Sequence, residues 1–514
     1  MMTSATPHPP HVLGIDLGTS SVKVALVTAE GRVLTQADSS YPIDRPHPGW
    51  AETDPEAWWS AIRSAVAAVL SGTDRLPLAI GLSGQMHGVV LVEEDGRAVR
   101  PAVLWADARS TAEVERYRLF EPALRMQLGN PFTVGMAGPS LVWLHRHEPA
   151  AVARARWAVQ PKDWVRARLT GEVSGDHSDA SATLLYDVIN SRWHLEAAAR
   201  LGIETRLLPI LARSSGDRAG SLLGSSAQDL GLPAGIPVAV GAADTAAALV
   251  GSGLFTPGVV QLTIGTGVQI VTPVTPPTAA TIPGSPVTHL YRGATADGWY
   301  AMAAGLSGGH TLDWVRRILG ADWAELYSTA ALPARGDDPL FLPHLIGERT
   351  PYLDPGLRGA WTGLEPRHTR VDLLRSALEG VAFAVAGGLD VLPGVPRSGR
   401  DVRLAGGGTT STAWRRLLAT VLDAHLHGVD VPAVSARGAG LLAAQAAGLF
   451  SGPDLPRISA MATQPAVAPG SDGADLRERR ARWERQIDAL RRSSLPPNAA
   501  AGGVNLTGGF EYAR

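Results

Sequence analysis

An α/β protein built from two related halves is the fold class this sequence predicts, on three observations. Strand-like and helix-like runs alternate from the N-terminus to about residue 250. The pattern then restarts, because the apolar run Val259–Ile264 echoes Val12–Asp16. Each of these runs leads through a Gly-Thr turn into a second strand: Gly18-Thr19-Ser20 into Val22–Val27, and Gly265-Thr266-Gly267 into Val268–Thr272.

The elements follow in order. Val12–Asp16, Val22–Val27 and Val33–Ala37 are three strands, the last two joined by the turn Ala29-Glu30-Gly31-Arg32. Helical spacing puts Trp58, Ile62, Ala65, Val66 and Val69 on one face of Trp58–Leu70. Ala79–Gly81 and Val89–Glu93 are strands flanking Ser83-Gly84-Gln85-Met86-His87-Gly88. In the second half, Pro273–Val287 is a Pro/Thr-rich loop and Val371–Leu392 an amphipathic helix with Leu374, Ala377, Leu378, Val381 and Val385 in register. The strand Val402–Ala405 runs into Gly406-Gly407-Gly408, after which Ser411 or Thr412 caps a helix reaching about Leu426. Asp475–Arg492 is a charged helix. The expected division is 12–254, 255–450, a helical extension 451–492 and a disordered, small-residue-rich tail 493–514.

Composition narrows the function. Of 514 residues, 45% are hydrophobic, and the formal net charge is −2 with no basic block, which argues against a nucleic-acid protein. Zero cysteines exclude disulfides, thiolate catalysis, iron–sulfur clusters and cysteine-ligated zinc, and the 14 histidines form no HExxH. Met1–Pro10 lacks a signal-peptide pattern, and the best apolar run, Ile236–Phe255, is broken by Asp244 and glycines. A soluble, cytoplasmic protein with no membrane partner is the expectation. The chain holds only two lysines, Lys23 and Lys162, neither in a Walker A context, and it has no HRD or DFG. Any use of ATP must take another route.

Several residues are candidates for chemistry. Asp16, at the end of a buried strand, can reach a magnesium ion, and Gly18, Thr19 and Ser20 offer close backbone approach and donors to a phosphate. The alternative is a hairpin turn whose Asp and Ser satisfy backbone donors. Gly265-Thr266-Gly267 reads the same two ways, and two such motifs could grip a polyphosphate from both sides. Gly406-Gly407-Gly408 is either a ligand-binding strand–glycine–helix junction or a tight connection. Asp244, between an apolar strand and an alanine-rich helix, is either a general base or a helix N-cap. His87, beside Met86, is a polar loop residue or a ligand contact, and Glu348-Arg349-Thr350-Pro351 reads as a surface turn.

Taken together, the segments resemble the FGGY family of carbohydrate kinases over roughly Val12 to Phe450. The resemblance rests on Gly14-Ile15-Asp16-Leu17-Gly18-Thr19-Ser20, Arg45-Pro46-His47-Pro48-Gly49-Trp50, Gly84-Gln85-Met86-His87-Gly88 and Pro101-Ala102-Val103-Leu104-Trp105. Pro161-Lys162-Asp163, Phe341-Leu342-Pro343, Gly347-Glu348-Arg349-Thr350-Pro351 and Leu378-Glu379-Gly380-Val381 extend it. It implies two ribonuclease-H-like (actin-type ATPase) domains with an interdomain cleft. By the same resemblance, Asp244 is the base, Met86, His87 and Trp105 meet the sugar, and Asp16 belongs to the Mg2+ environment. Gly18, Thr19, Ser20, Gly265, Thr266, Gly267, Gly406, Gly407 and Gly408 would hold ATP.

The implied reaction is ATP-dependent phosphorylation of a ketopentose at its terminal hydroxyl, D-xylulose first, with ribulose, a sugar acid such as gluconate, or a polyol such as ribitol as alternatives. A non-catalytic actin-fold ATP-binding protein is the reading from another class, and a homodimer is the expected assembly. Two departures bear on the substrate. Relatives carry Gly-Asp-Asn at the base and Asn-Asp-Gly-Arg after the Trp, where this chain has Ala243-Asp244-Thr245 and Ala106-Asp107-Ala108-Arg109. Each loses an amide near the sugar.

Overall fold

The computed structural model describes residues 10–71, 73, 75–406, 411–429 and 431–494. Gly407, Gly408 and residues 495–514 of the expected tail lie outside the described residues.

The first half is organised on a sheet of β1 (His11–Leu17), β2 (Ser21–Thr28), β3 (Val33–Ser40), β4 (Ile80–Gly84), β5 (Arg218–Ser221), β6 (Pro237–Ala239) and the short β7 (Ala242–Ala243). Its order is β5-β6-β4-β1-β2-β3, with β7 pairing onto β4. β1 is antiparallel to β2 and parallel to β4, so Asp16 stands opposite Lys23 on one side and Ser83 on the other. The helix α1 (Pro55–Leu70) starts where Pro55 supplies a preset φ and the Asp54 carboxylate accepts from Glu56 N–H. Its Trp58, Ile62 and Val66 pack on Leu13, Ile15, Val22 and Val24. α2 (Asp244–Ser252) follows β7 directly.

The second half repeats the plan. β8 (Val260–Ile264), β9 (Val268–Val274), β10 (His289–Arg292), β11 (Trp299–Gly305), β12 (Arg400–Ala405) and β13 (Ala424–Gly428) order as β10-β11-β9-β8-β12-β13. Here β8 is antiparallel to β9 and parallel to β12, as β1 is to β2 and β4. α3 (Gly309–Ile318) follows β11. α4 (Arg370–Asp390) opens with a reciprocal Thr369–Asp372 capping box and buries Leu374, Leu378, Val381 and Val385 against Val260, Leu262 and Ile264. α5 (Thr412–Leu422), capped by Ser411, ends four residues short of the expected Leu426. Leu418, Leu422 and Leu426 are spaced as one helix face, but Asp423 turns left-handed at φ 48° and sends Leu426 into β13.

One helix crosses between the halves. α6 (Val434–Ala446) comes late in the chain yet lies on the first sheet, with Ala436 and Ala443 against Val12, Ala25 and Ala79. The approach is backbone to backbone: a Cβ on Gly14 would fall 1.8 Å from the Ala436 carbonyl oxygen, and one on Gly81 1.8 Å from that of Ala439. α6 also crosses α2, where a Cβ on Gly438 would meet the Ala247 oxygen at 1.9 Å. The charged α7 (Gly473–Ser494) packs on the second half, its buried Arg479 paired with Glu379 at 2.6 Å and its Trp483 indole N–H donating to the Phe341 carbonyl.

Candidate active site

In both sheets the parallel strands deliver their loops to the same end, the position where open α/β sheets bind ligands. β1 ends in Asp16 and Gly18–Ser20, β4 runs into Gln85-Met86-His87, and β7 into Asp244. In the second sheet β8 ends in Gly265–Gly267, and β12 in Gly406, whose φ of +95° and closeness to the Ile264 backbone leave no room for a side chain.

Asp244 is the first residue of α2, and Ala243, not Asp244, holds the N-cap position. Its carboxylate Oδ1 accepts from the Thr245 N–H and from the Thr245 hydroxyl at 3.1 Å. Oδ2 carries no hydrogen bond from the described residues. Burial above all, then the negative charge of Asp16, pushes the Asp244 carboxyl up to about 7 against the two Thr245 bonds. Asp16 is raised by burial as well, with the Ser83 hydroxyl (2.8 Å to Oδ1) and the Lys23 charge acting the other way. These two acids share one crevice.

The hairpin-turn reading of Gly18–Ser20 is geometrically true, since Gly18 N–H bonds the Ser21 carbonyl. The Asp16 carboxylate, however, accepts from no backbone donor among the described residues. The loop is braced from outside: the Gly18 carbonyl accepts from Tyr41 Oη and from Gln85 Nε2 at 3.1 Å. The Trp105 indole N–H donates to Thr19 Oγ1 at 2.9 Å, which ties the segment expected to meet sugar to the first glycine loop. Opposite, the first N–H groups of α3 bond the loop Gly265–Gly267, Gly309 N to Gly265 O and His310 N to Thr266 O at 2.9 Å each.

His87 has the left-handed φ of 71°, rare for a side-chain-bearing residue. Its Nδ1 lies 2.7 Å from the Ala182 carbonyl oxygen, which only accepts, so Nδ1 carries the proton. Burial, with the nearby Arg349 charge and against that carbonyl, pushes the imidazole down to about 4. A neutral ring protonated at Nδ1 leaves Nε2 as an acceptor for a hydroxyl. Met86 is buried beside it, its sulfur 3.9 Å from Tyr300 Oη.

Residues from the second half complete this wall, and the sequence reading does not include them in the site. Tyr291 on β10 packs its ring 5.9 Å from His87 and shares a 2.7 Å hydrogen bond with His289. The Asn130 amide clamps the Leu290 backbone at 2.9 and 3.1 Å, docking β10 on the first half. Gln269 on β9 donates to Thr245 Oγ1 at 3.2 Å. Glu348-Arg349-Thr350-Pro351 is not a surface turn. Buried Glu348 accepts from Leu306 N–H and Ser307 Oγ, and only Arg349 projects, its guanidinium 6.0 Å from the Trp105 ring centroid. Gln269 and Arg349 are single polar residues in ordinary strand and loop contexts. No periodicity marks them.

Behind Asp244, Ala243 N–H donates to Ser178 Oγ at 2.9 Å, which donates to Asp176. Asp163, Asp176 and Asp179 have the spacing of a metal cage, but the buried ammonium of Lys162 pairs with all three and occupies that place. In the departing segment after Trp105, Asp107 accepts from Ala51 N–H at 2.7 Å and pairs with Arg109, which stacks 3.5 Å over Trp50. These residues clamp the Arg45–Trp50 loop.

The chain's similarity to known proteins decides its family. Residues 11–251 match the model described as FGGY family of carbohydrate kinases, N-terminal domain, and residues 260–447 match its C-terminal domain. The chain belongs to the FGGY family of carbohydrate kinases. It is 35% identical to the xylulose kinase of Escherichia coli (strain K12) over 435 residues, 82% of this chain and 88% of that one. It is 31% identical to the xylulose kinase of Bacillus subtilis (strain 168), over 86% and 89%. Among solved structures, a "xyloylose kinase" from Brucella ovis is 32% identical with a TM-score of 0.87, covering 94% of this chain and 100% of its own. The glycerol kinase of Plasmodium falciparum, at 20% identity and a TM-score of 0.81 over 94% and 98%, shares the fold. The two-domain actin-type ATPase fold expected from the sequence is therefore that of this FGGY kinase, and no described helix is long and apolar enough to cross a membrane.

Proposed function

We propose that this FGGY kinase transfers the γ-phosphoryl group of ATP to the terminal hydroxyl of D-xylulose, giving D-xylulose 5-phosphate and ADP, with Asp244 as general base. The relatives' activity supports the acceptor. The observation that carries the mechanism is the carboxylate of Asp244: Oδ1 is pinned by Thr245 and Oδ2 is unengaged by the described residues, in the crevice that also holds Asp16.

The base works by position. Asp244 Oδ2 takes the hydroxyl proton as the sugar oxygen bonds to the γ-phosphorus and the bond to the ADP oxygen breaks. His87 Nε2 accepts from a second hydroxyl and orients the chain of the ketose, with Met86 and Trp105 as apolar walls. Gly18–Ser20 from one half and Gly265–Gly267 with Gly406 from the other approach the polyphosphate as backbone. Asp16 fits a divalent cation, because its Oδ2 takes no hydrogen bond from the described residues and its negative charge repels that of Asp244. It would hold Mg2+, which supplies charge neutralisation to the phosphates.

The test is an acceptor panel of ketoses, sugar acids and polyols with MgATP, reading phosphorylated product. D-xylulose should lead by at least about tenfold in kcat/KM, a margin of the size that polar pocket contacts give. Asp244→Asn should lower kcat by about two to four orders of magnitude with folding intact. A flat panel would reject the acceptor, and near-normal turnover in Asp244→Asn would reject the base.

A further inference from the structure

We infer that Gln269 is a positioning residue for phosphoryl transfer, reaching from the second half to fix the hydroxyl of Thr245 and, through it, the carboxylate of Asp244. The inference rests on reading Asp244 as the base.

Counting donors and acceptors fixes each group's role. Gln269 Nε2 lies 3.2 Å from Thr245 Oγ1 and 3.3 Å from Met302 Sδ. A thioether sulfur is only an acceptor, so the amide edge facing it is the NH2 group, and the same NH2 donates to Thr245. Thr245 has one hydroxyl proton. With Gln269 donating to its oxygen, that proton goes to Asp244 Oδ1, 3.1 Å away. The Thr245 N–H reaches the same Oδ1. Both donors therefore engage one oxygen, which leaves Oδ2 to face the acceptor.

Remove the amide and the threonine hydroxyl is free to rotate to another acceptor, so the carboxylate loses one of the two bonds that set its plane. The arrangement also spans the cleft. Gln269 stands on β9 of the second sheet, whereas Thr245 and Asp244 open α2 behind the first, so the relay is whole only when the halves are apposed.

The experiment is a mutant cycle with MgATP and the preferred ketose of the acceptor panel. Gln269→Leu and Thr245→Val should each lower kcat by about tenfold, since either change costs the carboxylate its hydrogen bond from the Thr245 hydroxyl, with the sugar KM within about twofold. The double variant should be no slower than Thr245→Val, since both changes break one relay. Thr245→Ser, which keeps the hydroxyl, should lose less than Thr245→Val. If the leucine variant fails to fold, Gln269→Met keeps side-chain length without the amide. An unchanged kcat in the position-269 variant, or losses that multiply in the double variant, would overturn the inference. Asp244→Asn run alongside separates the two failures: slow turnover in Asp244→Asn with a normal position-269 variant rejects only the relay, whereas near-normal turnover in Asp244→Asn rejects the base itself.

Discussion

Asp16 and Asp244, delivered by different strands of the first sheet, lie close enough that the charge of the first raises the carboxyl of the second. With Asp244 as the proposed base and Asp16 as the proposed Mg2+ ligand, that coupling predicts a catalytic pH dependence that varies with metal. Asp244 must be ionised to take a proton, so kcat/KM should rise with pH through a single group and level off above it. Burial and Asp16 place that group up to about 7 in the unliganded protein. Neutralising Asp16 with Mg2+ removes one cause of the rise, so increasing free Mg2+ should move the acid limb to lower pH. A series of pH–rate profiles at stepped Mg2+ checks this, and a limb that stays put or moves upward contradicts it.

The same raised carboxyl predicts a trade between activity and stability. A carboxyl whose folded-state pKa lies above its unfolded value favours the folded state when protonated, and folding stability falls as pH rises from about 4 to about 7. Asp244→Asn abolishes that loss. Its apparent Tm should exceed that of the parent at pH 8 and match it near pH 4, the pH 8 difference in unfolding free energy being on the order of a few kcal/mol at most. Differential scanning calorimetry at the two pH values reads it.

Arg349 stands over the Trp105 ring from the opposite half and pairs with no carboxylate among the described residues. Its charge helps keep His87 neutral. Arg349→Met removes a charge that lowers the His87 imidazole, so the loss of kcat/KM for the sugar on the acid side should begin at a higher pH than in the parent, while the ATP KM changes little. Steady-state kinetics across pH, with each substrate varied in turn, gives the answer.

The contact of α6 with the first sheet tolerates no added methyl. Gly14→Ala would place its Cβ 1.8 Å from the Ala436 carbonyl oxygen and should cost about 1–3 kcal/mol or more. Gly224→Ala, whose Cβ meets nothing within 4 Å, should be neutral or slightly stabilising. Urea midpoints for the two variants separate these outcomes.

Much of this was legible in the chain. Strand-then-glycine signals locate both sheets' central hairpins, because a buried strand that turns back tightly on its neighbour writes an apolar run followed by Gly-Thr. Asp16, His87 and Asp244 stand out because each sits where such a run ends. Leu426 misleads, since three leucines at helical spacing look alike whether or not a left-handed residue breaks the helix between them. Gln269 and Tyr291 stay hidden, and Arg349 is read as part of a surface turn, for a different reason. Their part in the site comes from β9, β10 and a buried loop meeting the first half in space, and strand residues that alternate in and out carry no mark of what lies across a cleft.

The placement of α6 has a consequence for biosynthesis. Its alanine and glycine face, formed by residues 434–446, covers the side of the first sheet that carries Gly14 and Gly81. Until residues 434–446 have emerged from the ribosome, that surface has no cover, although the strands beneath it are already made. A nascent chain stalled before residue 434, or a gene truncated there, would present an open apolar sheet to chaperones and proteases.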